Sequence, residues 1–166
     1  MKNQIKELRV KIDGLAQLTK RLEVLLGYNF NESAVYGNTK EIKKSVENLY
    51  LSKAWLGKML GELGTENPYG SGYKTKEDIV PTQDVNISIQ EVFNNSMLNR
   101  NHIEKVDWLR QEIQAVIKDV SKWYTHTQAP SREFSIARTN TYNYLCEARF
   151  WLGFELERIK ENEDND

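Results

Sequence analysis

The chain has 166 residues, a formal net charge of −1 and a single cysteine, Cys146. This length allows one domain with a sizeable core, while the near-zero charge argues against a protein that coats nucleic acid non-specifically. One cysteine excludes a disulfide framework, and without an apolar run of membrane-spanning length or a leader resembling a secretion signal the sequence predicts a soluble, intracellular protein.

Apolar residues recur every three or four positions over residues 3–26, which predicts an amphipathic helix. Its buried stripe is predicted to contain Ile5, Leu8, Ile12, Leu15, Leu18, Leu22 and Leu25. Residues 27–38 lack this period and are predicted to form a loop. Asn38 followed by Glu41 resembles a capping box, which predicts a second helix that continues to about Gly64.

Residues 65–100 are predicted to form a long irregular excursion, because turn-forming residues are frequent after Gly64. Within it, Val85, Ile87 and Ile89 alternate with polar residues, a pattern that predicts a short β-strand. A third helix is predicted over residues 103–124. A fourth helix, capped by Ser131, is predicted to continue to about Lys160.

These elements predict a mainly α fold made of two repeated long helical hairpins packed together. We expect a single domain over residues 1–160, with hairpins at about 3–64 and 103–160 and a connecting loop at 65–102. The last residues, 161–166, are acidic and are predicted to be a disordered tail.

A repeat supports the two-hairpin interpretation. Trp55-Leu56-Gly57 recurs as Trp151-Leu152-Gly153 at an offset of 96 residues, and the same offset matches Lys53 with Arg149. Upstream, Leu8-Arg9 matches Leu109-Arg110 at an offset of 101. Self-similarity of this kind indicates a repeated supersecondary unit that cannot bury its apolar face alone.

The repeated triplets also carry packing expectations. Trp55 and Trp151 lie in register with the apolar stripes and are predicted to be largely buried. A glycine within a helix costs about 1 kcal/mol relative to alanine. The recurrence of Gly57 and Gly153 therefore predicts that helices cross closely there.

Catalytic motifs are absent from the sequence. His102 and His126 have no partner at metal-ligand spacing, and a cysteine inside a helix is more often a packing group than a nucleophile. No phosphate-binding glycine loop occurs, nor the paired carboxylate motifs with which all-α pyrophosphohydrolases hold magnesium. The sequence predicts no catalytic residues, no metal site, no cofactor and no enzymatic activity.

Binding chemistry is concentrated between Phe93 and Asn143, where arginines, amides, hydroxyls and aromatic rings are mixed. Arg132 falls in the first turn of the last helix, where free N–H groups attract anions although the helix dipole disfavours a cation. Aromatic rings and guanidinium planes stack on bases. The alternative is a solvated helix face along which a few arginines lie, and spacing alone leaves both open.

Three segments carry a resemblance to a known family. Residues 54–64 followed by Asn67-Pro68-Tyr69, together with Val106 to Arg110 and Arg149 to Gly153, resemble the phage-encoded Thoeris anti-defence sponges. The stretch from Arg132 to Thr139 is similar to the Arg-x-x-x-Ile-Ala-(Lys/Arg)-Thr segment of the related anti-CBASS cyclic-oligonucleotide sponges. The resemblance covers nearly the whole chain and consists of helix-packing motifs.

The resemblance implies a non-enzymatic protein in the cytoplasm of an infected bacterial host. It would bind a cyclic ADP-ribose isomer, or also cyclic di- and trinucleotides, and withhold them from Thoeris or CBASS effectors. It would form a symmetric homo-oligomer, a hexamer built from dimers, and would bind neither polymeric nucleic acid nor a membrane. By position, the candidate ligand-binding residues are Arg132, Arg138, Thr139, Arg110, Phe93, Asn94 and Tyr142.

Two other functions stay open at the level of the sequence. One is a helical assembly or partner-binding protein without a small-molecule ligand. The other is a nucleotide hydrolase, which a search for reaction products would test. The sequence names neither the preferred nucleotide nor the number of pockets.

Overall fold

The computed structural model describes residues 1–28, 31, 33–64, 89–126 and 128–164. This part of the chain is mainly helical with a small two-stranded sheet, which confirms the predicted fold class. The helices are α1 (Lys2–Lys20), α2 (Lys40–Glu62), α3 (residues 89–96), α4 (His102–His126) and α5 (Arg132–Asp164). Antiparallel strands β1 (Val24–Gly27) and β2 (Val35–Gly37) lie between α1 and α2.

The antiparallel pair of α2 and α5 forms the centre of the molecule. Near one end Thr39 donates a hydrogen bond to Glu155, and at the other end Ser131 donates to Glu62. Between these ends the Ser45 hydroxyl donates to the carbonyl oxygen of Ala148 at 2.9 Å. Helix α1 packs against α2, and α4 packs against α5, so each predicted hairpin forms.

Equivalent positions of the two hairpins contact each other. Lys11 of α1 and Glu112 of α4 are equivalent positions at the repeat offset of 101, and they form an ion pair of 3.1 Å with each other. Contact between equivalent residues is the geometry of an isologous interface, here within one chain. The repeated unit thus buries its apolar face against its own copy.

The tryptophans of the repeat are less buried than the leucines that follow them. Leu56 and Leu152 are fully buried, whereas Trp55 and Trp151 keep a minor part of their surface exposed, which agrees with the predicted large burial. Successive helical residues differ by 100° around the axis, so each tryptophan lies at the border of the buried stripe. Trp151 packs edge to face on Phe154 instead, with ring centroids 5.5 Å apart.

The first helix ends earlier than its apolar period suggests. It ends at Lys20, and Leu25, predicted to be buried, lies in β1 with 55% of its surface exposed. The predicted loop at 27–38 contains most of a β-hairpin in which Leu25 pairs with Tyr36. Regularly spaced leucines are compatible with a last helical turn and with a short strand, so the leucine spacing alone does not show where α1 ends.

The start of α2 also differs by one residue from the prediction. Thr39 is the N-cap, since its hydroxyl oxygen accepts a hydrogen bond from the Ile42 N–H at 3.2 Å. Asn38 donates its side-chain amide to the carbonyl oxygens of Lys20 and Leu22, and so ties the end of α1 to the start of α2.

Part of the predicted irregular excursion is helical. Residues 89–96 form α3, which places Ile89 in a helix rather than in the predicted strand, and Ile89 and Phe93 are buried. Val85 and Ile87 lie outside the described residues. Helix α5 extends to Asp164, so residues 161–164 of the predicted disordered tail are helical.

Glu155 of α5 is a fully buried carboxylate that joins three helices. It accepts hydrogen bonds from Thr39 at 2.8 Å and from Arg158 at 2.6 and 3.1 Å, and it lies 3.1 Å from Nε2 of His102, the first residue of α4. Burial alone raises the pKa of Glu155. The hydrogen bonds from His102, Arg158 and Thr39, with the charge on Arg158, outweigh burial and lower the pKa to about 2.

This pKa predicts a specific loss of stability in acid. Because the folded-state pKa of Glu155 lies below the unfolded value, its contribution is complete above about pH 4.5 and is lost as the pH falls toward about 2. The contribution is on the order of 3 kcal/mol in the free energy of unfolding. Urea titrations followed by circular dichroism between pH 6 and pH 2.5 measure it.

Glu155→Gln should flatten this part of the pH profile, since an amide has no proton to gain. Glu157→Gln removes an exposed carboxylate two residues away and should keep the wild-type slope. Equal slopes for wild type and Glu155→Gln would contradict the assignment.

Candidate functional site

The predicted ligand-binding residues divide into separate groups in the structure. Arg138, Thr139 and Tyr142 surround Tyr124 near the end of α4, whereas Arg110 lies further back on α4 against the second half of α5. Arg132 lies at the start of α5, 17 residues before Arg149, which corresponds to about 25 Å along the helix. The sequence therefore named residues that do not share one pocket.

Arg138 is held within the fold. It is buried, it donates from Nη1 to the carbonyl oxygen of Trp123 at 3.0 Å, and its guanidinium lies 4.4 Å from the centre of the Tyr124 ring. The Tyr124 hydroxyl in turn donates to Thr139 at 3.2 Å. A cation bonded to a carbonyl near the end of α4 also complements the helix dipole. This arrangement indicates a packing role for Arg138.

The start of α5 already has its hydrogen-bond partners. As predicted, Ser131 caps the helix, with its hydroxyl oxygen accepting from the Phe134 N–H at 3.0 Å. The same hydroxyl donates to the Glu62 carboxylate at 3.1 Å, so an acidic side chain of α2 lies at this helix start. Arg132 itself is exposed. A phosphate here would approach a carboxylate of the protein's own chain.

Phe93 and Asn94 lie on α3. Phe93 is buried and packs edge to face on Trp108, with ring centroids 5.5 Å apart. Asn94 is exposed. Phe93 thus contributes to the core, and its neighbour projects away from it.

A cleft between α4 and α5 gathers several cations. Its volume is about 310 Å³, and it contains one of the predicted ligand-binding residues, Arg110. The residues that line it are Asp107, Arg110, Gln111, Gln114, Ala115, Lys118 and Arg149. Three cationic side chains and one carboxylate give these residues a formal charge of +2.

The two arginines of the cleft have donors without partners within the part of the chain that the structure describes. The Nε–H groups of Arg110 and Arg149 are buried and donate to no hydrogen-bond acceptor there. Asp107, the one carboxylate of the cleft, accepts a hydrogen bond from Gln111 at 2.8 Å. A buried donor without a partner costs free energy. The positive formal charge and the unpartnered Nε–H groups make this cleft the candidate site for a negatively charged group.

Gly153 leaves room for one of these arginines. The Arg110 guanidinium lies 3.5–3.7 Å from the position that a Cβ atom on Gly153 would occupy. That is an ordinary contact with a side chain, so the predicted close crossing of helix backbones is not what Gly153 provides. The Arg110 guanidinium packs against α5 at Gly153, one turn beyond Arg149.

Sequence reasoning missed Arg149, Lys118 and Gln114 as site residues. The repeat contained the relevant signal, since Lys53 aligns with Arg149 at the offset of 96 and Asp13 aligns with Gln114 at 101. Only the packing of α4 on α5 brings these positions to one cleft.

Nucleophilic and metal-binding chemistry finds little support in the described ranges. Burial raises the pKa of the Cys146 thiol, although a hydrogen bond with Tyr142 and the charge on Arg149 act in the opposite direction. His102 contacts Glu155, and His126 is exposed. Among residues 1–28, 31, 33–64, 89–126 and 128–164, no group of three or more His, Cys, Asp or Glu side chains is arranged to hold a metal.

Comparison with family models, curated proteins and solved structures gives no match to this chain. None of the helices in the described ranges combines the length and hydropathy that crossing a membrane requires.

The different settings of Arg138 and Arg132 predict different effects on stability. Arg138→Ala removes a charged hydrogen bond and the stacking on Tyr124, and should lower the free energy of unfolding by about 2 kcal/mol or more. Arg132→Ala, the matched control on the same helix, should change it by less than about 0.5 kcal/mol. Urea unfolding of both variants measures the difference, and equal effects would contradict the packing role of Arg138.

Proposed function

We propose that this protein binds a phosphate-bearing nucleotide signal and holds it intact, as the phage sponges that it resembles do. The observation that carries the proposal is the presence in the α4–α5 cleft of Arg110 and Arg149, two half-buried arginines whose buried Nε atoms have no hydrogen-bond partner among the described residues. Arginine binds phosphate oxygens through two parallel N–H donors, which makes it the preferred residue for such groups.

The size of the cleft and its surroundings suit part of a nucleotide. A volume of about 310 Å³ lies at the small end of the range for ligand pockets, enough for a phosphate group and the atoms next to it. On the same helix Phe150 and Phe154 directly follow Arg149 and Gly153, and their rings are 61% and 47% exposed. Neither ring lines the cleft, but exposed aromatic rings on the helix that carries Arg149 offer a purine base a surface for stacking.

The residues of the cleft favour retention of the ligand over its cleavage. Those that line it are cations, amides, one alanine and one carboxylate that is hydrogen-bonded to a neighbouring amide. Such a set binds charge, and it contains no Ser, Cys, His or Tyr side chain and only one carboxylate. Together with the family resemblance, this supports sequestration of a cyclic adenine-containing nucleotide, such as a cyclic ADP-ribose isomer, in the cytoplasm of an infected bacterial host.

We predict that Arg110→Ala or Arg149→Ala weakens binding of a cyclic ADP-ribose isomer by about one to two orders of magnitude. The reason is the loss of charge-assisted hydrogen bonds of about 1.5–3 kcal/mol each. Isothermal titration measures the affinity, and chromatography of the heated complex should recover intact ligand.

Arg132→Ala serves as the control, because Arg132 is exposed and lies about 25 Å from the cleft along α5. Its affinity should stay near the wild-type value. A large loss in Arg132→Ala with none in Arg110→Ala would move the site to the start of α5, where the sequence first placed it. If the ligand were recovered as a reaction product, the protein would be a hydrolase and the proposed sequestration would be wrong.

A second candidate function, assembly through an apolar surface, is favoured by a different observation. The two strands of the β-hairpin and Tyr28, which directly follows β1, expose large apolar side chains: Leu25 at 55%, Leu26 at 50%, Tyr28 at 70%, Val35 at 51% and Tyr36 at 61%. A two-stranded hairpin is marginally stable by itself in water, and clustered exposed apolar groups indicate an interaction surface. Assembly of identical chains is compatible with nucleotide binding and is part of what the family resemblance implies.

We predict that light scattering at micromolar concentration gives a mass several times the 19.4 kDa of one chain. The double variant Leu25→Ser/Tyr36→Ser removes a facing apolar pair of the hairpin and should lower that mass. Phe150→Ser, which removes an exposed ring of α5, serves as the comparison. A wild-type monomer would contradict assembly, whereas an oligomer that binds no nucleotide would leave assembly as the function.

A further inference from the structure

The α4–α5 cleft has a counterpart in the first hairpin. The repeat offsets of 101 for the first helix of each hairpin and 96 for the second define equivalent residues. The equivalent pairs are Arg9 and Arg110, Asp13 and Gln114, Gln17 and Lys118, and Lys53 and Arg149. The same backbone arrangement therefore carries two different sets of charges.

In the first hairpin an aspartate occupies the centre of this arrangement. Asp13 accepts a hydrogen bond from the Lys53 ammonium at 2.8 Å and another from the Gln17 amide at 2.8 Å. Arg9 donates from Nε to the carbonyl oxygen of Lys53 at 3.3 Å. The carboxylate of the chain itself thus neutralises the cation that faces it.

In the second hairpin this carboxylate is replaced by a neutral amide. Gln114 stands where Asp13 stands, and a second cation, Lys118, stands where Gln17 stands. The Nε atoms of Arg110 and Arg149 are buried and unpartnered in the described part of the chain. At these four pairs of positions this copy carries two more units of positive charge than the first. At a fifth pair Lys6 of the first hairpin corresponds to Asp107, so the two copies have the same formal charge of +2 over all five pairs but differ in where the carboxylate lies.

We propose that the α4–α5 cleft is a site for an oxyanion group with at least two negative charges, such as a pyrophosphate, and that the neutral side chain at position 114 keeps it open. The bound anion takes the place that Asp13 fills in the first hairpin. Two guanidinium groups and the Lys118 ammonium outnumber the single carboxylate of Asp107, so a dianion balances the formal charge of +2. This inference rests on the proposed function, because it names the part of the nucleotide that the cleft takes.

The test uses inorganic pyrophosphate as the probe, in isothermal titrations of the full chain at low ionic strength. Gln114→Asp restores the carboxylate of the first hairpin and should weaken pyrophosphate binding at least tenfold. The same variant should unfold at a higher temperature than wild type without the probe, because the carboxylate gives Arg149 the partner that Lys53 has. Circular dichroism confirms that the variant is folded.

Asn143→Asp is the matched control. It adds one negative charge at an exposed position of α5 that does not line the cleft, and its affinity for pyrophosphate should stay within twofold of wild type. Equal weakening in both variants, or no binding of millimolar pyrophosphate to the wild type, would overturn the inference.

A parallel titration with a cyclic ADP-ribose isomer separates this inference from the proposed function. Pyrophosphate binding that Gln114→Asp abolishes, without binding of any cyclic nucleotide, would support the anion site and overturn the proposed nucleotide signal. Nucleotide binding that depends on Arg110 but is unchanged in Gln114→Asp would support the proposed nucleotide signal and overturn the anion site.

Discussion

The antiparallel contact between α2 and α5 is the interaction on which the rest of this structure depends. Each helix supplies the second half of one hairpin, and polar contacts anchor the pair near both ends. At one end the buried Glu155 carboxylate accepts from Thr39, the N-cap of α2, and contacts His102 at the start of α4. At the other end Ser131 bonds to Glu62 while capping α5. The register of α2 on α5 therefore also sets where α4 begins and which residues of α5 face it.

This register decides where the proposed anion site lies. Helix α4 packs on the same helix that contacts α2, and Arg110 of α4 lies against the segment of α5 around Gly153. Arg110 and Arg149 line one cleft, in which a single carboxylate, Asp107, offsets three cations. The Nε–H groups of both arginines are buried without acceptors among the described residues, which costs folding stability. The bound anion proposed above would offset that cost.

The duplicated hairpin explains how such a site forms without loss of the fold. Apolar positions are equivalent in both copies, as the fully buried Leu56 and Leu152 illustrate. Polar positions on the helix surfaces can differ between the two copies. Asp13 of the first hairpin corresponds to Gln114 of the second, a difference in charge between side chains of similar polarity. In the first copy Asp13 therefore pairs with Lys53, whereas in the second copy the Nε–H groups of Arg110 and Arg149 have no acceptor among the described residues.

The sequence by itself determined the helical class, the two hairpins, the cap at Ser131 and the repeat, because local hydrogen bonding and apolar periodicity are written in neighbouring residues. It named Arg110 but grouped it with Arg138, which packs on Tyr124 and the Trp123 carbonyl. It also missed Arg149. Only the tertiary structure decided these roles, because whether a guanidinium has a partner depends on residues far away along the chain. The end of α1 at Lys20 has the same cause, since the packing of other elements overrides a local period.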